Sequence, residues 1–187
     1  MTNRHISLLV LVLAAALVCV ACGEMGRVEQ GRVVAYNKQS QSITLIRETG
    51  DKASYGVLPP VSVKAPTDPE EMGPAPAAGR LIKLDTKAQK IVVYDASADS
   101  FRVIPYTPVG EPKPAAKPVA PKVDPKAKTI ALYSTADKAV ITFAASDDLL
   151  AMPADTWKAG DVVRYYYKDP EQALRLMNVT RTDLSKQ

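Results

Sequence analysis

The chain reads as an all-β protein: two small β-barrel-like modules built from repeated hairpins, after an N-terminal helical signal segment. Three observations carry this reading. A strand–turn–strand unit recurs along the 187 residues. Its strands are rich in Val, Ile and Tyr, the residues that suit a pleated, half-buried surface. No long amphipathic segment of helical period interrupts the series.

The units follow in order. Residues 31–37 (GRVVAYN) are followed by a polar turn and then 42–46 (SITLI), and residues 79–85 (GRLIKLD) by a similar turn and 90–94 (KIVVY). In both, Gly to Asn/Asp is six residues and Asn/Asp to Ile is six more. Asp124 to Ile130 repeats the second half, and 160–165 (GDVVRY) the first half, with a turn at 168–171 and a return strand near 174–179. Asn37, Asp85 and Asp124 are expected to start their turns by accepting hydrogen bonds from the backbone just ahead. Gly31, Gly79 and Gly160 are expected to allow a bend or close packing at strand starts. Third strands are expected over 53–58, 101–106 and 139–144. Residues 147–152 have the makings of one helical turn, limited by Pro153.

The expected organisation is a signal peptide over 1–21, a tether over 22–30, module one over 31–109, a linker over 110–121, module two over 122–182 and a tail over 183–187. Residues 66–78 form a Pro-rich surface loop within module one. The linker, GEPKPAAKPVAP, should be a semi-rigid spacer, because its prolines cannot donate to a sheet and favour extended geometry. Residues 122–182 are then expected to fold alone. Over 31–182 the pattern resembles small oligonucleotide-binding-type or SH3-like barrels of envelope proteins, and is similar to uncharacterised envelope lipoproteins.

The N-terminus carries one firm positive charge, Arg4, and then an almost unbroken Leu/Val/Ala run. A membrane-spanning helix needs about 20 apolar residues, more than this run of roughly 15 supplies, so it fits a secretory signal better. Cys19-Val20-Ala21-Cys22 resembles the bacterial lipobox, although Cys19 stands where that family usually has Leu. The resemblance implies lipid attachment at Cys22, with diacylglycerol on its sulfur and a third acyl chain on its amine, and so a stable hold on the membrane. Gly23 is not the aspartate that retains many lipoproteins at the inner membrane. The implied location is therefore the outer membrane, facing the periplasm.

Composition closes off much chemistry. Cleavage before Cys22 leaves 166 residues and removes Cys19 and His5, the only other cysteine and the only histidine. The remainder has no disulfide, no imidazole for general base work, and no Cys/His cluster for zinc, haem or an iron–sulfur centre. Its balance of 23 basic to 20 acidic residues, a formal +3, is too mild to suggest nucleic acid. No cofactor and no enzymatic activity are expected, because no nucleophile–base pair, phosphate loop or metal triad is visible.

The candidate partner-binding residues are Trp157, Tyr165 and Tyr167. In the run 165–167, Tyr165 and Tyr167 face one side of a strand and Tyr166 the other, so that one face is core and the other an aromatic platform beside Arg164 or Lys168. Met152, five residues before Trp157, is similar to the Met/Trp pairing of periplasmic copper-binding barrels. Those proteins also use a histidine that this chain lacks, so Met152 is expected to fill core. Asp147, Asp148 and Asp155 lack the spacing of a calcium loop and are expected to be solvated. Lys113, Lys117 and Lys122 keep the linker soluble or touch an anionic lipid or cell-wall polymer. The expected function is a non-enzymatic binding or scaffold module for an envelope protein or polymer. The alternative is a small-ligand or metal-ion carrier using a barrel face.

Overall fold

The computed structural model describes residues 25–47 and 59–182. The signal segment, Cys22, the strand expected over 53–58 and the tail lie outside them. Among the described residues, no helix is long and apolar enough to cross a membrane.

Twelve strands and one short helix are formed among the described residues: β1 (Arg27–Asn37), β2 (Ser42–Arg47), β3 (Val61–Lys64), β4 (Leu81–Asp85), β5 (Lys90–Asp95), β6 (Ser100–Pro105), β7 (Lys113–Pro114), β8 (Lys122–Asp124), β9 (Thr129–Ser134), β10 (Ala139–Ala144), α1 (Asp147–Leu150), β11 (Val162–Asp169) and β12 (Gln172–Asn178). The all-β class expected from the repeat holds. Five strands close a barrel in the order β1-β11-β12-β3-β2. The others form a three-stranded sheet, β4-β5-β6, and a four-stranded sheet, β7-β10-β9-β8.

The division into modules 31–109 and 122–182 does not survive the strand pairing. β11 and β12, from the end of the chain, complete the barrel begun by β1–β3; Val28 pairs with Tyr166, and Gln172 with Lys64. The physical reason is burial. The hairpin β11–β12 turns Val163, Tyr165, Ala173 and Leu176 inward, and these pack with Val33, Ile43, Leu45 and Val63, all within 2% of full burial. An isolated two-stranded hairpin is marginal in water, so such a face seeks a closed sheet. The second core likewise draws on both expected modules, joining Ile91 and Val93 to Ile130, Leu132, Phe143 and Trp157.

The barrel and the second unit are held to each other. A bulge in β1 between Val33 and Ala35 breaks the strict alternation. Both Val33 and Val34 are buried, Val33 in the barrel core and Val34 with Ile46 against Ile82 and Tyr94. Gly160 and Gly79 meet at this junction. A Cβ on Gly160 would lie 1.8 Å from the Val33 carbonyl oxygen, and one on Gly79 2.4 Å from that of Lys158. The close packing expected at these two repeat glycines is therefore backbone against backbone. Asp161, 7% exposed, completes the junction. Its Oδ2 accepts from the Ala77 amide at 2.8 Å, Asn178 Nδ2 at 2.9 Å and Arg181 Nε at 2.6 Å. Burial alone would raise this carboxyl; the hydrogen bonds from Ala77, Asn178 and Arg181 outweigh it and hold it below the usual carboxylate range.

The hairpin turns share one construction. Oδ1 of Asn37 accepts from the amides of Gln39 and Ser40, Asp85 from Ala88 and Asp124 from Ala127, at 2.9–3.1 Å. Asp95, accepting from Ser97, and Ser134, accepting from Asp137, do the same and extend the series to five turns. The last turn residue is left-handed each time: Gln41, Gln89, Asp99, Lys128 and Lys138, with φ of 45–51°.

The two Pro-rich segments also depart from expectation. The loop 66–78 carries a 3-10 turn at Pro69–Glu71, capped by Asp68. It bridges to β12 through Met72 and Leu176 and is pinned by Asp161. Residues 110–121 are not a free spacer, because Lys113 and Pro114 pair with Val140 and Ala139 on the edge of β10.

Candidate functional site

Alternation along β11 decides which aromatic residues can meet a partner. Tyr165 and Tyr167 point into the barrel and are 2% and 6% exposed. Their rings stack at 5.4 Å, and their hydroxyls donate to the two oxygens of Glu29 at 2.9 and 2.8 Å. Burial, and then the Glu29 carboxylate, push both phenols above their ordinary range. Trp157 is fully buried in the second core, edge-on to Phe143 at 6.2 Å. The expectation that Trp157, Tyr165 and Tyr167 offer a binding surface is therefore corrected. Each large ring is worth more inside, and Glu29 satisfies the polar tips of the two tyrosines.

The opposite face of the same strand is the open one. Across β1, β11 and β12 the outward residues line up in two rows. Val28, Tyr166 and Arg175 form one, and Gln30, Arg164 and Met177 the other. A bulge in β12 opposite Tyr166 and Tyr167 leaves consecutive residues Leu174 and Arg175 both exposed. The result is a groove of about 560 Å³ with an apolar floor of Val28, Tyr166, Leu174 and Met177, and with Arg164, Arg175 and Glu71 at its rim. Val28 is 61% and Leu174 44% exposed.

The rim is ordered by its own contacts. Glu71, on the 3-10 turn, takes Arg175 in a two-pronged pair, with Nη2 donating to Oε1 at 2.9 Å and Nε to Oε2. The hydrogen bond from Arg175 holds the Glu71 carboxyl below its ordinary value. Arg164 Nη2 donates to Gln30 Oε1 at 3.2 Å. The Tyr166 ring lies so close over Gly26 that a Cβ there would be 2.2 Å from it. The groove thus begins where the chain enters β1, and a smaller pocket is formed by Met25, Arg27, Tyr167, Lys168 and Pro170. Chemically, the groove offers apolar contact and charge-assisted hydrogen bonding.

The other candidates separate in space. Asp147 pairs with Lys128 and Asp155 with Arg80, each at 3.0 Å. Met152 packs on the second core. Of the groove residues, only Tyr166 and Arg164 are legible from alternation. Leu174 is outward because of the bulge, and Glu71 is close only through the folded Pro-rich loop.

No curated protein and no solved structure gives a significant match to the chain. Residues 24–187 match the model of one family, described as Domain of unknown function (DUF4881). That match covers nearly all of the chain that follows Cys22, and the protein belongs to this family.

Proposed function

We propose that the protein is a lipid-anchored, non-enzymatic binding module of the bacterial cell envelope, and that its partner is a protein segment docking in the groove of β1, β11 and β12. The observation that carries the reading is the groove floor of exposed Val28 and Leu174 and half-buried Tyr166, ringed by Arg164, Arg175 and Glu71. A large aromatic residue, aliphatic neighbours and arginine make the composition of protein-binding patches. The complementary segment carries aliphatic side chains with a carboxylate set to meet Arg164.

An anchor at Cys22 would stand three residues before Met25, a reach of at most about 11 Å at up to about 3.6 Å per residue. Groove and partner would then lie close to the membrane surface. Met25, 93% exposed, Arg27 and Lys168 sit at that end. A photoreactive amino acid at Tyr166, in intact cells, should crosslink one reproducible protein, and Leu174→Asp should abolish the adduct. Crosslinks unchanged by Leu174→Asp would remove the groove from the reading. Cys22→Ser should abolish acyl labelling and release the protein from membranes; persistent labelling would remove the anchor.

A further inference from the structure

The segment expected to be a spacer is a fixed, charged strap. Val109 donates its amide to the Thr142 carbonyl at 2.8 Å, and Ala115 to that of Lys138 at 2.9 Å, which seats β7 along β10. The chain then crosses to the opposite edge, where Lys122 pairs with Ala131 of β9. Lys113, Lys117, Lys122 and Lys138 are all exposed. None has a carboxylate within ion-pair distance among the described residues.

The charge is compensated only in part nearby, Lys128 being paired with Asp147. Residues 113–138 hold six lysines and two aspartates, a net +4, whereas the rest of the chain after Cys22 holds 17 basic and 18 acidic residues. Both aspartates are engaged in the turns: Asp124 accepts from Ala127, and Asp137 from the hydroxyls of Ser134 and Thr86 at 2.6 and 2.8 Å.

Geometry decides the kind of anion. β7 and β8 are the two ends of a four-stranded sheet, so Lys113 and Lys122 stand roughly 14 Å apart across it at about 4.8 Å per strand. One carboxylate or phosphate cannot bridge that distance, but a polymer repeating its charge can. Between residues 113 and 144 the one large exposed hydrophobic residue is Val119, too little apolar surface to enter a bilayer. The prolines hold the strap extended before any ligand arrives, which lowers the ordering cost of binding.

We propose that this lysine-edged sheet is a second binding surface, separate from the groove, for an anionic glycan: a sugar polymer bearing carboxylate or phosphate groups, held by Lys113, Lys117, Lys122 and Lys138.

The test uses the full Cys22→Ser chain and immobilised polygalacturonate, with neutral dextran and phosphatidylcholine/phosphatidylglycerol vesicles alongside. The chain should bind polygalacturonate, not dextran, with an affinity that falls steeply with salt. Changing all four lysines to Gln should weaken binding about tenfold or more and flatten the salt dependence. The same change at the exposed Lys64, Lys90, Lys158 and Lys168 should cost less than about twofold. Unchanged melting of both variants would show that the fold is intact. Equal losses in the two variants, binding to dextran, or no binding to polygalacturonate would each overturn the proposal. Binding confined to the vesicles would overturn it in favour of a lipid surface. The groove reading is untouched by any of these outcomes, since it rests on the Tyr166 crosslink.

Discussion

Removing the Asp161 carboxylate should loosen the joint on which the barrel, the Pro-rich loop and β12 converge. In Asp161→Ala, the Ala77 amide and Asn178 Nδ2 lose their shared acceptor, while Arg181, about half exposed, recovers water. A buried donor left unpaired costs about 1–3 kcal/mol, and two neighbours are not fully additive, so we expect a loss of about 3 kcal/mol. For a domain of this size that is a fall in Tm of about 6–12 °C. Asp161→Asn can keep an oxygen in the same place and loses only the charge, so it should cost about 1 kcal/mol. Because the folded carboxyl lies below its ordinary value of 3.8, its contribution is complete above that pH. It is lost as pH falls from there through the lower folded value. The gap between wild type and Asp161→Asn should therefore be full at pH 7 and close toward strongly acid pH. Urea unfolding of the two proteins across pH 2.5–7 (an assay range set at about the carboxylate region) measures it. An Asp161→Ala cost of less than about 0.5 kcal/mol, or a gap to Asp161→Asn that does not narrow in acid, would refute the account.

Four further outcomes follow from the same packing. Gly160→Ala must push a methyl group into the Val33 carbonyl, and should cost about 3 kcal/mol or more, or prevent folding; soluble yield and thermal unfolding decide. Lys128→Gly relieves a left-handed residue at φ 50° and should gain about 0.5 kcal/mol, whereas Asp124→Ala removes the turn acceptor and should lose about 1 kcal/mol. Residues 122–182 alone should show no cooperative thermal transition by circular dichroism, because β11 and β12 would lack β1 and β3; a sharp transition would restore an independent module.

Local order was legible because it depends on neighbours along the chain. The six-residue spacing from Asn37, Asp85 and Asp124 to their following isoleucines marks turns whose acceptor lies within three residues of its donors, and those turns formed. The turns at Asp95 and Ser134 fall outside that pattern, because Phe101 and Val140 stand six residues on in place of isoleucine. β3 leaves no such signal, because four residues beside two prolines give little periodicity. Alternation was legible too, and it separates Tyr166 from Tyr165 and Tyr167. What it lacks is a sign: period two divides the residues into two faces without saying which is buried.

The amino-acid sequence by itself determined that this protein is built from hairpins, where those at Asn37, Asp85 and Asp124 turn, and which glycines pack closely. Its N-terminal pattern also raises the expectation of an anchor at Cys22. Only the tertiary structure decided which hairpins share a barrel, that Tyr165 and Tyr167 face Glu29 in its interior, and that a bulge brings Leu174 beside Tyr166. It likewise decided that the proline-rich stretch is a strap on a sheet. The physical reason is one of range. Turn hydrogen bonds are made between residues two or three apart, whereas barrel closure pairs Val28 with Tyr166 and is selected by the apolar surface it removes from water, which no local pattern records.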